Sequence, residues 1–183
     1  MPYNQASALI GILMELFVIR HAIAEPLGRR NEFTDEKRAL TVEGRHRMRE
    51  VVKGLIKLRI EFDLMLTSPL ARAVETAEII AASMRLSKKD IKQSANLAPG
   101  ASAEDLFAEI KGHAGAETIA LVGHQPDLGG LISRIIQSDG GALSIQLKKG
   151  GVCCVNVRET VPTLRGDMMW LLTPKQLRML AKS

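Results

Sequence analysis

Short apolar runs alternate with amphipathic segments along this chain, and the alternation predicts an α/β fold. Strands are predicted where apolar residues stand together, at 16–19, 64–67, 118–122, 152–157 and 164–172, with a short edge strand near 91. Helices are predicted where apolar residues recur at helical spacing, from 42 to before 62 and at 69–84, 103–112, 128–137 and 175–181. We expect a three-layer α/β/α sandwich with a mostly parallel central sheet. One edge is expected to run antiparallel, because no helix separates the last two strands.

Polar side chains suited to an anion stand where three of the predicted strands end. Arg20 and His21 end the first strand. Ser68 and Arg72 follow the second, and His124 ends the strand at 118–122. Because open α/β sheets bind ligands at the carboxyl ends of their strands, we expect these side chains to share one pocket.

The segment after the second strand is typical of an anion-binding helix start. Ser68 is predicted to be the N-cap and Pro69 the first helical residue. The free N–H groups and the dipole of such a helix favour an anion. Arg72 falls in the first turn and adds a planar guanidinium suited to phosphate oxygens.

The segments 20–22, 66–77 and 122–126 together resemble the histidine phosphatase superfamily, which is related to the phosphoglycerate mutases. Within this family, the element at 39–44 and the turn at 123–128 resemble the SixA-type phosphohistidine phosphatases. The resemblance spans residues 16–172. The usual Arg-His-Gly motif of the family has Ala22 at its third position here. Since alanine tolerates positive φ poorly, we expect an ordinary backbone angle at Ala22.

The resemblance implies a role for each residue at the strand ends. His21 corresponds to the nucleophile that becomes phosphorylated, Arg20 and Arg72 to the phosphate clamps, and His124 to the second histidine of the pocket. Ser68 is expected to contribute to phosphate binding. His21 must attack as a neutral imidazole, and we expect the guanidinium charges to lower its pKa. We expect no metal and no cofactor, because two arginines and a histidine can stabilise a transferring phosphoryl group.

A general acid is harder to identify from the sequence. Glu25, Glu104 and Asp127 are the candidates, but each is also explained as a solvated loop residue or a charge at a helix start. Without an acid, substrates with good leaving groups are favoured, and phosphohistidine is one of them. For His46 and His113 we expect no catalytic role.

Three functions are compatible with these residues. The first is hydrolysis of phosphohistidine on a protein through a covalent phospho-His21 intermediate. The second is hydrolysis of a small phosphate ester or phosphoanhydride, and the third is phosphoprotein binding without turnover. The expected partners are a phosphorylated protein, such as a histidine-phosphotransfer domain, and a phosphate or sulfate in the pocket. We expect no nucleic acid or membrane partner.

Charge and cysteine content add two further expectations. The net charge is +5, and the segment 29–59, with ten basic and five acidic residues, accounts for it. This segment is either a solvated helix face or a positive field that attracts an acidic or phosphorylated partner. Cys153 and Cys154 are adjacent and poorly placed for a disulfide, which favours a reducing compartment such as the cytoplasm. We expect a disordered extension at 1–13 and a single domain at 14–183.

Overall fold

The computed structural model describes residues 13–27, 34–113, 115–137 and 143–182. The strands in these residues are β1 (Met14–Arg20), β2 (Leu64–Thr67), β3 (Ile91–Gln93), β4 (Thr118–Gly123), β5 (Val152–Glu159) and β6 (Arg165–Leu172). The α-helices are α1 (Val42–Lys57), α2 (Ala71–Met84), α3 (Ala103–Lys111), α4 (Asp127–Ile136) and α5 (Pro174–Leu180). Short 3-10 helices lie at Asp35–Lys37, Lys88–Asp90 and Ala95–Leu97.

The strands form one sheet in the order β3-β2-β4-β1-β5-β6. The pairs β3-β2, β2-β4 and β4-β1 are parallel, whereas β1-β5 and β5-β6 are antiparallel. The prediction of a mostly parallel sheet is therefore wrong, because the sheet is mixed. The prediction of an antiparallel edge is confirmed.

The direction of β5 follows from the segment that precedes it. Just before β5, the chain lies next to the carboxyl end of β1. There the Gly150 N–H donates to the carbonyl oxygens of Arg20 and His21 at 3.0 and 3.1 Å. Gly150 has φ +79°, a conformation that glycine adopts without strain. Since β5 begins beside the end of β1, it must run antiparallel to that strand.

Side chains of β1 alternate between the two faces of the sheet. Leu16 and Val18 pack in one apolar cluster with residues of α3 and α4. Phe17 and Ile19 pack in a second cluster with residues of α1, α2 and α5. All four side chains are buried, and burial of side chains of this size contributes about 1.5–3 kcal/mol each. Because side chains on both faces of β1 pack in apolar clusters, the strand is a continuous apolar run rather than an alternating one.

Helix starts agree with the sequence at three places and differ at one. The side chains of Thr41, Ser102 and Thr173 accept backbone N–H groups at the starts of α1, α3 and α5. The helix predicted from Ser68 instead begins at Ala71. Leu70 is the N-cap residue, and the Ser68 side chain contacts His124 and accepts the Leu70 N–H, one residue before the helix.

The close approach of α1 to the segment after β1 depends on Gly44. A Cβ at this position would lie 2.0 Å from the Ile23 carbonyl oxygen. The Thr41 N–H also donates to that oxygen at 3.0 Å. Together these contacts hold the amino-terminal end of α1 against the residues that follow His21.

Cys153 and Cys154 are neighbours in β5, and both side chains are buried. No helix in the residues that the structure describes is long and apolar enough to cross a membrane. The extension predicted at 1–13 lies, up to residue 12, outside the described residues.

Candidate active site

Two histidines meet at the carboxyl edge of the sheet because of the register of β1 and β4. Arg20 pairs with Gly123 in these parallel strands, so the next residues, His21 and His124, stand side by side. Their ring centroids are 5.1 Å apart, and both side chains are buried. The first turn of α2 carries Arg72, which is also buried and whose charge acts on both imidazoles.

Hydrogen bonds fix the His21 ring and the backbone after it. The His21 Nδ1–H donates to the Ala22 carbonyl oxygen at 2.7 Å, so in the neutral ring Nε2 carries the lone pair. The Ala22 N–H donates to Thr76 Oγ1 at 3.0 Å, and Thr76 Oγ1 donates to the Arg72 carbonyl at 2.6 Å. The ordinary backbone angle expected at Ala22 is confirmed, since its φ is not positive.

Burial keeps His21 neutral. It is the largest cause that lowers the pKa of His21 to about 3, with smaller contributions from the charges of His124, Arg72 and Arg20. The hydrogen bond to the Ala22 carbonyl acts in the opposite direction. The prediction that the pKa of His21 is lowered is confirmed. Burial lowers this pKa more than the guanidinium charges on which the prediction was based.

The second imidazole is held by a serine. The distance between His124 Nε2 and Ser68 Oγ is 2.8 Å. Ser68 Oγ also accepts the Leu70 N–H at 3.3 Å, so its own proton is free to be donated to Nε2. In that arrangement the neutral His124 ring carries its proton on Nδ1. Burial, followed by the charge of Arg72, lowers the pKa of His124 to about 4, although the carboxylate of Asp35 opposes this shift.

Arg20 is anchored by the segment that leads to β5. Its Nη1 donates to the Leu147 carbonyl oxygen at 2.8 Å. Burial lowers the pKa of Arg20 from its ordinary value. A carbonyl rather than a carboxylate therefore orients this guanidinium, so its positive charge is not neutralised by that contact.

Asp35 and Arg38 belong to the site, and sequence reasoning missed both. Arg72 Nη1 donates to the Asp35 carbonyl at 2.7 Å and Nη2 to its carboxylate at 2.9 Å. The same carboxylate accepts Arg38 Nε and Nη2, each at 2.7 Å. Burial would raise the pKa of Asp35, but the hydrogen bonds and charges of Arg72 and Arg38 outweigh it and lower this pKa. The charged segment at 23–40 offered no periodic signal by which either residue could be singled out.

Three buried nitrogen atoms of the site have no hydrogen-bond partner among the described residues. They are Arg20 Nε, Arg72 Nε and His124 Nδ1. Each unpaired buried donor costs about 1–3 kcal/mol, so groups of this kind are rare unless a ligand satisfies them. A tetrahedral oxyanion has the charge and the acceptor oxygens that these groups require.

The three candidate acids do not form hydrogen bonds with Arg20, Arg72 or either histidine in the described part of the chain. Glu25 is exposed. Glu104 is exposed and pairs with Arg134. Asp127 accepts the Gly100 N–H at 3.3 Å and lines a small cavity together with His124. Asp127 is therefore the one of the three that approaches the site.

His46 is exposed on α1, and His113 is half-buried after α3. Within the described ranges, no group of three or more histidine, cysteine, aspartate or glutamate side chains is arranged to hold a metal ion.

Comparisons with known proteins agree with this geometry. Residues 16–98 match the model of the histidine phosphatase superfamily, branch 1. An uncharacterized protein from Picosynechococcus sp. is 38% identical over 170 residues, which cover 90% of this chain and 99% of that protein. The structure of the protein histidine phosphatase SixA complexed with tungstate has a TM-score of 0.78 at 22% identity, covering 90% of this chain and 99% of that one.

A phosphoserine phosphatase from Entamoeba histolytica, in complex with 3-phosphoglyceric acid, has a similar fold. Its TM-score is 0.63 at 17% identity, with 90% of this chain and 99% of that chain covered. Two phosphatases that are named for different substrates thus have folds similar to that of this chain. The chain itself belongs to the histidine phosphatase superfamily.

Proposed function

We propose that this protein is a phosphatase that hydrolyses phosphohistidine on a partner protein through a covalent phospho-His21 intermediate. The observation that carries the proposal is the state of His21, whose Nδ1–H is bonded to Ala22 and whose pKa is about 3. At neutral pH its Nε2 is an unprotonated nucleophile. The proposal includes the α/β/α layering, supported by apolar clusters on both faces of the sheet. It also includes a cytoplasmic location, supported by the adjacency of Cys153 and Cys154, which is unsuited to a mutual disulfide.

The reaction proceeds in two displacements. In the first, the Nε2 lone pair of His21 forms a bond to phosphorus while the P–N bond of the substrate breaks, and the departing imidazole takes up a proton. In the second, water forms a bond to phosphorus, the bond to His21 breaks, and inorganic phosphate leaves. Arg20 and Arg72 stabilise the charge on the equatorial phosphoryl oxygens in both transition states.

His124 contributes a proton donor next to the nucleophile. Its ring lies 5.1 Å from the His21 ring, and its Nδ1 has no partner among the described groups. A bound phosphoryl group would raise the pKa of His124, because an opposite charge favours the imidazolium. His124 therefore stabilises a phosphoryl oxygen and is suited to move a proton toward the leaving group.

The surroundings of the site favour a P–N substrate. The carboxylate that contacts the clamp is Asp35, whose pKa is lowered, so it is ionised at neutral pH and is a poor acid. An alkoxide leaving group requires a strong proton donor, whereas a protonated imidazole departs readily. Hydrolysis of a small phosphate ester is the second candidate, because the Entamoeba histolytica phosphoserine phosphatase has the same architecture.

A substrate panel tests the proposal. A phosphohistidine protein, a sugar phosphate and phosphotyrosine are supplied to wild type, to His21→Ala and to His46→Ala, which alters an exposed histidine. We expect turnover of phosphohistidine and a trapped phosphoprotein in wild type and His46→Ala, and neither in His21→Ala.

Two results would replace the proposal. Preferred turnover of the sugar phosphate would select the small-ester alternative. Phosphopeptide binding without turnover or trapped His21 would select the binding-module alternative.

A further inference from the structure

A basic pocket lies beside the candidate active site. It is a cavity of about 100 Å³ whose lining includes the cationic side chains of Arg47, Lys149, Lys175 and Arg178. These residues come from α1, from the turn before β5 and from α5. Ala22, next to His21, also lines the cavity.

Sheet register places the basic pocket at the same edge as the catalytic residues. Val152, the first residue of β5, pairs with Ile19 of β1 and with Leu172 of β6. The start of α5, which follows β6, is therefore beside the end of β1. The start of α1 also lies beside the end of β1, because the Thr41 N–H donates to the carbonyl oxygen of Ile23.

The charge of the basic pocket is balanced only in part by nearby carboxylates, one of which is Glu50, whose pKa the charge of Arg178 helps to lower. Among the described residues, no acidic side chain lines the cavity. Lys149 and Lys175 are exposed, and neither forms an ion pair with any acid in the described ranges. Arg47 pairs with Glu43, on the exposed surface of α1.

Part of the charge in the basic sequence segment 29–59 is balanced by carboxylates of that segment or of α2. Arg38, Arg45 and Lys53 each pair with a carboxylate. The positive surface beside the site is consequently assembled from three separate parts of the chain and is not a property of that segment alone.

We propose that the basic pocket docks an acidic segment of the phosphorylated protein substrate, an inference that rests on the proposed function. The lining also includes Met48, Val51 and Pro174, against which the aliphatic part of a glutamate side chain can pack while its carboxylate meets the lysines. The cavity has a volume of about 100 Å³, which suits a single carboxylate side chain of the partner. Docking next to His21 would raise the local concentration of the phosphorylated residue at the nucleophile.

Binding of an oligoglutamate peptide tests the surface directly. The pocket variant is the double substitution Lys149→Glu and Lys175→Glu. The control variant is Lys88→Glu and Lys89→Glu, which makes the same charge change on two exposed lysines that precede β3. By calorimetry we expect the pocket variant to lose about tenfold in affinity, since two attractive charges become repulsive, and the control variant to stay close to wild type. Equal loss in both variants would overturn the proposal, because net charge alone would explain it.

Kinetics separate docking from the chemistry of the site. With a phosphohistidine protein that carries an acidic surface, we expect kcat/KM of the pocket variant to fall about tenfold and its dependence on salt to weaken. With phosphoramidate, a small P–N compound, kcat/KM should stay the same in both variants. Unchanged turnover of the protein substrate would overturn the docking proposal while leaving the proposed function intact.

The remaining outcomes are also decisive. If wild type turns over no phosphohistidine protein and the pocket variant still loses peptide binding selectively, the acidic-peptide surface stands and the proposed function fails. Tighter binding of duplex DNA or of phosphatidylserine vesicles than of oligoglutamate, lost in the pocket variant, would overturn the assignment to a protein partner.

Discussion

Asp35 holds the Nη end of the Arg72 guanidinium with both its carbonyl and its carboxylate oxygen, at 2.7 and 2.9 Å. The Nε of Arg72 remains buried and without a partner in the described residues. A guanidinium has two edges that can each hold an oxyanion, so Asp35 on one edge leaves the Nε edge for a phosphoryl group. The carboxylate also places a negative charge next to the position proposed for the phosphate.

Asp35→Asn should therefore bind inorganic phosphate more tightly than wild type. Asparagine keeps an oxygen acceptor for Arg72 but removes the negative charge that repels the ligand. For one partly exposed charge we expect a gain of about fivefold in affinity. Phosphate inhibition constants, measured at fixed ionic strength, provide the test.

Glu36→Gln is the matched control, because it removes the same charge from the adjacent residue of the 3-10 helix. It should leave the phosphate affinity within twofold of wild type, a bound set by screening of exposed charges. If both substitutions tighten phosphate binding equally, the gain in affinity results from the change in net charge and not from the contact between Asp35 and Arg72.

The elements that place the site could be predicted because their signals are local. A buried apolar run followed at once by Arg20 and His21, or by His124, marks both the strand and its carboxyl end. Helical spacing and capping residues such as Thr41 likewise act within a few positions. If the strands that end at His21 and His124 are parallel neighbours, the two histidines must lie side by side.

Contacts made across long stretches of the chain could not be predicted in this way. Asp35 lies 37 positions from Arg72, and Leu147 lies 127 positions from Arg20. The role of Ser68 illustrates the difficulty, since a serine before a proline is typical of a helix cap. In the structure the partner of its hydroxyl is His124, 56 positions away.

Ser68→Ala should impair turnover by releasing His124. Loss of the 2.8 Å contact leaves Nε2 without its partner, so the ring can change its tautomer and orientation. We expect kcat to fall about tenfold, the scale of one buried hydrogen bond. The nitrogen chemical shifts of His124 should report the altered tautomer, which a purely structural role of Ser68 would leave unchanged.

Ser83→Ala is the control for this substitution. Its exposed hydroxyl donates to the Ile79 carbonyl within α2 and is remote from the imidazoles. This variant should retain both the turnover and the histidine spectrum of wild type. A normal kcat in Ser68→Ala would show that Ser68 does not position His124 for catalysis.

The two buried histidines should make the protein sensitive to mild acid. Burial lowers the pKa of His21 to about 3 and that of His124 to about 4, against an ordinary value of 6.5. Between pH 6.5 and 4 the unfolded chain therefore binds protons that the folded protein refuses, so the free energy of unfolding falls as the pH falls. Each histidine should contribute up to about 1 kcal/mol per pH unit across this window.

Urea unfolding from pH 7 to 4 measures this dependence. His21→Ala should flatten the profile by removing one of the two contributions, while His46→Ala should reproduce the wild-type slope. A profile of His21→Ala parallel to that of wild type would show that His21 titrates normally in the folded protein.

Two glycines in helices should respond to alanine in opposite directions. In α1, a Cβ at Gly44 would lie 2.0 Å from the Ile23 carbonyl oxygen, so Gly44→Ala must displace α1 from the segment after His21. We expect a loss of about 1–3 kcal/mol, typical of overpacking, together with reduced turnover. In α4, a Cβ at Gly130 would meet no atom within 4 Å, so Gly130→Ala should stabilise the protein by about 0.5–1 kcal/mol through helix propensity. Thermal unfolding of the two variants checks both signs, and a Gly44→Ala protein as stable as wild type would contradict the close packing of α1 against the segment after His21.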